Sequence, residues 1–341
     1  MGMTINRLLI VRGGAVGDFI VTLPVIGALR QTFPQAWIEV LGHPSRMLLA
    51  DHPRYADRVT DLESLDVYHL FQLEAKVSSR LQTYLQAFDL IVAYLPTADG
   101  IFNQQLKRYG AGQVITWPPH PPAGVHITDH LLHALAPLLL HRMDPMPQVE
   151  MHAEAEATAE AFWQEAGYTA SLKQGVVAFH PGSGSPQKLW PLEGWCDVMS
   201  WARQAGIDGI VIQGPAEQER HLQTTLRQVT RDWPWTDNLS LRELASLLRR
   251  CQVVLSHDSG IAHLAAAVGT TTLALFGPTD PHAWGPRSPR ACVLQPAEPQ
   301  ALSLQNLPPE VVIRTLAALL EGTFAWQTTS VPCTIKRLGS D

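Results

Sequence analysis

Apolar residues in this chain come in short runs, each ending in a turn of glycine and small polar residues and then giving way to helical periodicity. "RLLIVRGGAVGDFIVTLPVIGALRQTFPQAWIEVLG" (7–42) reads as strand, glycine turn, helix and strand, a βαβ unit. "FDLIVAYL" (88–95) and "QVITW" (113–117) predict further buried parallel strands. "WPPHPPAG" (117–124) lacks the N–H donors a sheet needs and predicts a stiff surface loop. "ITDHLLHALAPLLL" (127–140) then predicts a helix with Thr128 or Asp129 at its cap, and "AEAEATAEAFWQEAG" (153–167) a helix stopped by Gly167. After a turn around 168–175 the pattern restarts: "GVVAFHPGSG", helix, "GIVIQGPAEQE", helix, "CQVVLSHDSG", helix, "TTTLALFGPTD". Four strands alternating with helices predict a second doubly wound domain, closed by the helix "PPEVVIRTLAALLEG" (308–322). The expected division is 1–167 and 168–341, with the last residues frayed or draped on the surface.

Composition narrows the function classes. At 341 residues, 46% apolar and 16% charged, the chain has material for two cores and is not disordered. Its apolar runs fall far short of the roughly 18 residues that mark a membrane span. The run before Arg12 is too short for a secretory signal, and Asn6 stands where a myristoylation signal wants Ser or Thr, so a soluble, cytoplasmic protein is expected. Cys196, Cys251, Cys292 and Cys333 show no disulfide or zinc spacing and are expected to be reduced, with Cys196 and Cys251 buried. The 14 histidines include no HExxH pair, so no local motif supports a metal. Net charge is −6, with 11 Lys and Arg against 17 Asp and Glu in residues 1–165 and 14 against 14 in the rest. The absence of a basic stripe argues against nucleic acid as a partner.

The chemistry gathers where strands end. In Ser256-His257-Asp258-Ser259-Gly260-Ile261-Ala262-His263, Asp258 or Ser259 can cap the next helix, and Gly260 lets a ligand approach backbone N–H groups suited to a diphosphate. The next strand ends in Gly277-Pro278-Thr279-Asp280-Pro281, so two polar turns are expected at the carboxyl ends of adjacent parallel strands, where α/β sheets bind ligands. "HPGSGSPQKLWP" (180–191) supplies Ser183, Gly184, Ser185 and Lys188 after another strand, without being a Walker A sequence. Glu217 follows a fourth strand, where a carboxylate can grip ribose hydroxyls or simply occupy a first helical turn. Near the start, Gly13, Gly14 and Gly17 lack dinucleotide spacing, and Asp18 reads either as an N-cap or as a general base.

In their order, "RGGAVGD" followed by "TLP", "FHPGSGSPQKLWP", "GPAEQE" and "SHDSGIAHLAAAVGTTTLALFGPTDP" resemble glycosyltransferase family 9, the ADP-heptose:lipopolysaccharide heptosyltransferases, over roughly residues 5–320. The resemblance implies a GT-B architecture, two Rossmann-like doubly wound domains facing across a cleft, with an acceptor-binding first domain and a nucleotide-sugar-binding second one. It implies an inverting, metal-independent enzyme without a cofactor that moves a heptose-type sugar from an ADP-sugar to a hydroxyl acceptor of the lipopolysaccharide core. Asp18 is then the catalytic base, Ser183 and Lys188 the diphosphate ligands, and Glu217 the nucleoside contact with Leu239 near the adenine. Asp258 holds sugar hydroxyls, while Ser259, Gly260 and His263 line the diphosphate end. A lipid-linked or other glycan acceptor leaves room for peripheral contact at the inner face of the inner membrane. Two departures stand out: Gly13-Gly14-Ala15-Val16 lacks the hydroxyl residues the family often places before its Gly-Asp, and the first half is acidic where a phosphorylated acceptor favours basic residues. The alternatives are a GT-B transferase or epimerase using another nucleotide sugar, or a non-catalytic nucleotide-sugar binding protein.

Overall fold

A computed structural model describes residues 5–72, 76–95, 100–110, 112–138, 143–168, 175–214, 222–296, 302–326 and 334–337. The chain divides into two compact units, Met1–Gln148 and Val149–Asp341. In the first, β1 (Arg7–Arg12), β2 (Trp37–Gly42), β3 (Arg58–Asp61), β4 (Leu90–Tyr94) and β5 (Gln113–Trp117) form one parallel sheet in the order β3-β2-β1-β4-β5. In the second, β6 (Val177–His180), β7 (Gly209–Val211), β8 (Val253–His257), β9 (Thr271–Leu275), β10 (Ala291–Gln295) and β11 (Thr334–Arg337) form another, in the order β11-β10-β9-β8-β6-β7. Every strand pair in both sheets is parallel. Strand order reverses between β1 and β4 in one unit and between β6 and β8 in the other, so each sheet has one topological switch point.

The apolar runs become the central strands because helices cover both faces of a parallel sheet. All five residues of β4 and of β8 are buried, including Ser256 and His257. The second core gathers Phe179, Trp190, Trp195 and Trp233 around the sheet, with the rings of Phe179 and Trp233 stacked 5.1 Å apart.

Several expectations are corrected. Among the described residues the second sheet has six strands, not four: β10 and β11 extend it past β9, and residues 334–337 pair with β10 instead of draping on the surface. The first sheet gains β3, whose polar "RVTD" suits an edge. Its Thr60 hydroxyl donates to the buried Glu39 carboxylate at 2.5 Å, and Tyr84 donates to the same oxygen at 2.8 Å. His126, not Thr128 or Asp129, caps the helix Ile127–His133, accepting from the Thr128 N–H at 3.2 Å. Cys251 and Cys292 are buried free thiols, whereas Cys196 is only half-buried; Cys333 lies outside the described residues. Burial pushes the Cys251 thiol well above its usual range, which removes it as a nucleophile.

The unit boundary also falls earlier than 167/168. The helix Ala153–Glu165 packs on the helix Leu241–Leu248 through Ala155, Ala159 and Trp163 on its buried face. Arg249 pairs with Glu156 at 3.5 Å, Arg250 pairs with Glu160, and the Val149 N–H bonds the Ala267 carbonyl at 3.1 Å. Gly167 does stop this helix, at φ +73°: its N–H bonds Gln164 and that of Tyr168 bonds Trp163, closing a Schellman motif. The exposed ion pairs contribute little, so the apolar face fixes the helix to the second unit. Trp163→Ala should therefore cost about 3–5 kcal/mol. Domain-resolved denaturation should show the loss in the transition of the second unit, and a loss confined to the first would move the boundary back.

Candidate functional site

The switch point of the second sheet brings two polar turns together. β6 and β8 are paired, His180 opposite Ser256, so the turn 181–188 leaves the sheet beside the turn 258–260. The buried His180 ring lies 3.0 Å from the Ser256 hydroxyl and 3.4 Å from that of Ser259 through Nδ1, and the two hydroxyls are 3.0 Å apart. Ser259 occupies the N-cap of the helix Gly260–Ala267, yet its side chain makes no capping bond because it faces this network. The first turn of that helix thus starts at the ligand edge of the sheet without a side-chain cap, a setting suited to an anion. β9 adjoins β8 on the other side, as the two Gly-rich turns predict. Its following turn is secured by Gln295, whose amide donates to the carbonyls of Gly277 at 2.8 Å and Thr279 at 3.1 Å. Asp280 serves the local fold, capping a short helix by accepting from the His282 N–H at 2.9 Å.

Lys188 and Asp258 meet across the switch point. The ammonium lies 2.6 Å from Asp258 Oδ2, a charge contact not aligned as a hydrogen bond. The Lys188 side chain is 32% exposed and that of Asp258 only 7%, so the pair presents its cation outward over a buried carboxylate. Ser183, itself buried, uses its hydroxyl to accept from the Ser185 N–H at 3.4 Å, which shapes the turn below Lys188. Gly260 is half-buried and His263 is buried one turn into the helix. Leu239, half-buried, follows Thr236, whose hydroxyl accepts from the Gln213 N–H at 3.1 Å just beyond β7. Glu217 lies outside the described residues.

The first unit holds a pair of opposite polarity. Asp18 lies on the short helix Val16–Ile20 at the switch point between β1 and β4. Ala15, not Asp18, is the N-cap, and Asp18 reaches back from the third helical position to accept from the Ala15 N–H at 2.7 Å. Its other oxygen takes an Arg12 N–H at 3.3 Å, and a second Arg12 N–H bonds the Asp18 carbonyl at 3.3 Å. Here the cation is 2% exposed and the carboxylate 24%. Burial pushes the Arg12 guanidinium below its usual range, and the charge of Asp18, followed by Tyr94, works against that shift. Arg46 donates to the Gly14 carbonyl and holds the turn from the β2 side.

Arg12, His180, Ser256, His257 and Gln295 take part in these sites without having been assigned roles from the sequence. Their shared signal is a polar residue at the carboxyl end of an otherwise buried strand. Among the described residues, no group of three or more His, Cys, Asp and Glu side chains could hold a metal ion, and no helix is long and apolar enough to cross a membrane.

Comparison with known proteins gives a consistent outcome. The sequence model of "Glycosyltransferase family 9 (heptosyltransferase)" matches residues 118–309. The chain is 24% identical over 297 residues to lipopolysaccharide heptosyltransferase 3 of Escherichia coli, covering 80% of this chain and 84% of that protein. A glycosyl transferase family 9 structure from Veillonella parvula superposes with a TM-score of 0.74 at 20% identity, over 94% of this chain and 99% of that one. The E. coli heptosyltransferase WaaC with ADP superposes with a TM-score of 0.66 at 20% identity, over 92% of this chain and 99% of that one.

The unequal exposure of Lys188 and Asp258 makes their removal unequal. Lys188→Met should cost about 1–3 kcal/mol, because it leaves a buried carboxylate without its cation. Asp258→Asn should cost less than about 1 kcal/mol, because the lysine can turn to water. Urea unfolding of both variants measures the order, and the reverse order would show that Asp258 does not depend on Lys188.

Proposed function

The chain belongs to glycosyltransferase family 9 and is a glycosyltransferase of GT-B fold, and on that premise we propose that it moves a heptose-type sugar from ADP to a hydroxyl of a lipopolysaccharide-core acceptor, with inversion and without a metal ion. The observation that carries this reading is the opposite polarity of the two switch-point ion pairs. The second unit offers an ammonium, the first a carboxylate. An anionic leaving group needs the former, and a hydroxyl nucleophile losing its proton needs the latter.

In this scheme the second unit binds the donor. Lys188, Ser183 and the start of the helix at Ser259 and Gly260 take the diphosphate, with His263 beneath them. Asp258 accepts from sugar hydroxyls, and Leu239 with Glu217 faces the nucleoside. The first unit binds the acceptor. The acceptor oxygen attacks the anomeric carbon as its proton passes to Asp18, and the bond from that carbon to the diphosphate oxygen breaks in the same displacement. ADP departs with its charge met by Lys188 and the helix N–H groups, which take the part a metal would play. The heptosyltransferase names of the relative and of the superposed structure with ADP support the choice of sugar and nucleotide. An acceptor of that kind puts the reaction in the cytoplasm at the inner face of the inner membrane, with peripheral contact there.

Calorimetry with ADP in excess EDTA should show binding equal to that without chelator. Loss of binding on chelation would overturn the metal-free assignment, and a preference for UDP or GDP would overturn the choice of ADP. Lys188→Ala should weaken ADP much more than adenosine, since a charge-assisted contact contributes about 1.5–3 kcal/mol.

Asp18→Asn should lower turnover by roughly 100-fold or more while leaving ADP affinity unchanged. It should also cost about 1–3 kcal/mol of stability, since it removes the charge beside the buried Arg12 guanidinium. Turnover of the folded Asp18→Asn variant equal to that of the unmodified enzyme would remove Asp18 from the mechanism.

A further inference from the structure

The stretch from Ser256 to His263 contains a residue that the donor scheme leaves unused. His257 ends β8, is fully buried, and lies between both ends of the turn that carries Ser183 and Lys188. Its Nδ1 is 3.1 Å from the Gly182 carbonyl, and its Nε2 accepts from the Trp190 backbone N–H at 2.8 Å. The partners assign the tautomer. A backbone N–H only donates, so Nε2 carries no proton, and a carbonyl only accepts, so Nδ1 carries one. One neutral ring therefore spans the base of the loop, receiving a hydrogen bond from one end and giving one to the other.

The far end of the loop is itself fixed. Trp190 donates through Nε1 to the Leu307 carbonyl at 2.9 Å and packs edge-on against Trp195, with ring centroids 5.6 Å apart. Trp195 also closes the edge of the His257 ring at 5.1 Å, so the imidazole is held by packing as well as by its hydrogen bonds. The next residue on the chain is Asp258, whose N–H continues the ladder to the Leu275 carbonyl at 2.9 Å. The backbone that places the carboxylate of the Lys188–Asp258 pair thus also places the ring that spans the lysine's loop.

We propose that His257 is a positioning residue for the donor-diphosphate loop: its two hydrogen bonds set residues 182–190 against β8 so that Ser183 and Lys188 meet the diphosphate preformed. This rests on the reading that the switch point of the second unit binds the donor. The role is steric and hydrogen-bonding, with no contact to the reacting atoms. A loop released from the strut must be ordered by the ligand, so diphosphate affinity falls while contacts to the nucleoside do not.

Three substitutions separate the two bonds. His257→Leu removes both, His257→Gln brings an amide oxygen toward the Trp190 N–H, and His257→Asn brings an amide N–H toward the Gly182 carbonyl. Calorimetry on the full-length chain, with ADP and with adenosine, should show ADP weakened about ten-fold in the Leu variant and adenosine unchanged. The Gln and Asn variants should each recover part of the ADP affinity. If the Leu variant does not fold, an ADP-selective loss in the other two supports the proposal. Equal loss of both ligands, or none, in folded variants overturns it, leaving His257 as core filling. A wild-type protein that binds neither ADP nor another nucleoside diphosphate would overturn the donor reading and this role with it. Normal wild-type binding with an unselective loss in the variants would sink the role of His257 alone.

Discussion

The adjacency of β6 and β8 is the constraint on which the second unit depends. Chain order would place β7 beside β6 and β8 after it; the sheet instead reverses direction and seats β8 on the other side of β6. Connections from the two strands then depart to opposite faces, and the space between their carboxyl ends is left open. His180, Ser256, His257 and Asp258 exchange hydrogen bonds and charge across that junction or with the turns beside it. If β7 stood between β6 and β8, at the 4.7–4.9 Å spacing of neighbouring strands, none of these contacts could form.

Each unit resolves the cost of a partly buried charge in its own way, and the choice decides what it offers to solvent. Burying one charge is tolerable only when its partner stays close. In the first unit the guanidinium is the hidden member, fixed by its bonds to the Asp18 side chain and carbonyl, and the carboxylate remains accessible. In the second the carboxylate is hidden and the ammonium accessible. The residue types fit these places. Arginine's planar, fixed donors suit a buried clamp, whereas the flexible stem of lysine suits a partly exposed cation that keeps its freedom to move. A carboxylate has lone pairs for about four hydrogen bonds. Asp18 has given one to Arg12 and one to Ala15, which leaves acceptor capacity on a side chain whose direction is already set.

The central strands were legible because most of their positions are apolar, as burial on both faces demands. The edges were not. β3 is short and polar, and β10 is fully buried but hemmed by "RSPR" and "PAEPQ", so its five residues resemble a stray apolar patch until β9 and β11 flank it. The helix 153–165 was legible as a helix, yet a stripe of Ala155, Ala159 and Trp163 does not say which neighbour it covers, and the boundary was misplaced accordingly. At the site, Lys188 and Asp258 stood out as charged residues at strand ends, and their pairing is a tertiary fact. His257 was harder to read. Its partners are the main-chain groups of Gly182 and Trp190, which every residue carries and no side-chain pattern advertises.

The glycines before Asp18 show how a missing side chain can be the functional feature. Gly13-Gly14-Ala15-Val16 departs from the hydroxyl-bearing turn the resemblance would favour, which suggests lost acceptor contacts. The geometry gives the departure a different sense. Gly14 has φ +98°, where a side chain is strained, and a Cβ placed on it would lie 2.7 Å from Asp18 Oδ2. That oxygen is the one bonded to the Ala15 N–H. A hydroxyl residue at this position could not share the turn with the carboxylate in its present direction; it would displace Asp18 or force the turn open. The chain has therefore taken the tighter turn, in which Arg12 and Ala15 aim the carboxylate and the backbone leaves room for it. What this turn provides is the direction of a single carboxylate, set by Arg12 and Ala15 and unobstructed by any side chain at position 14.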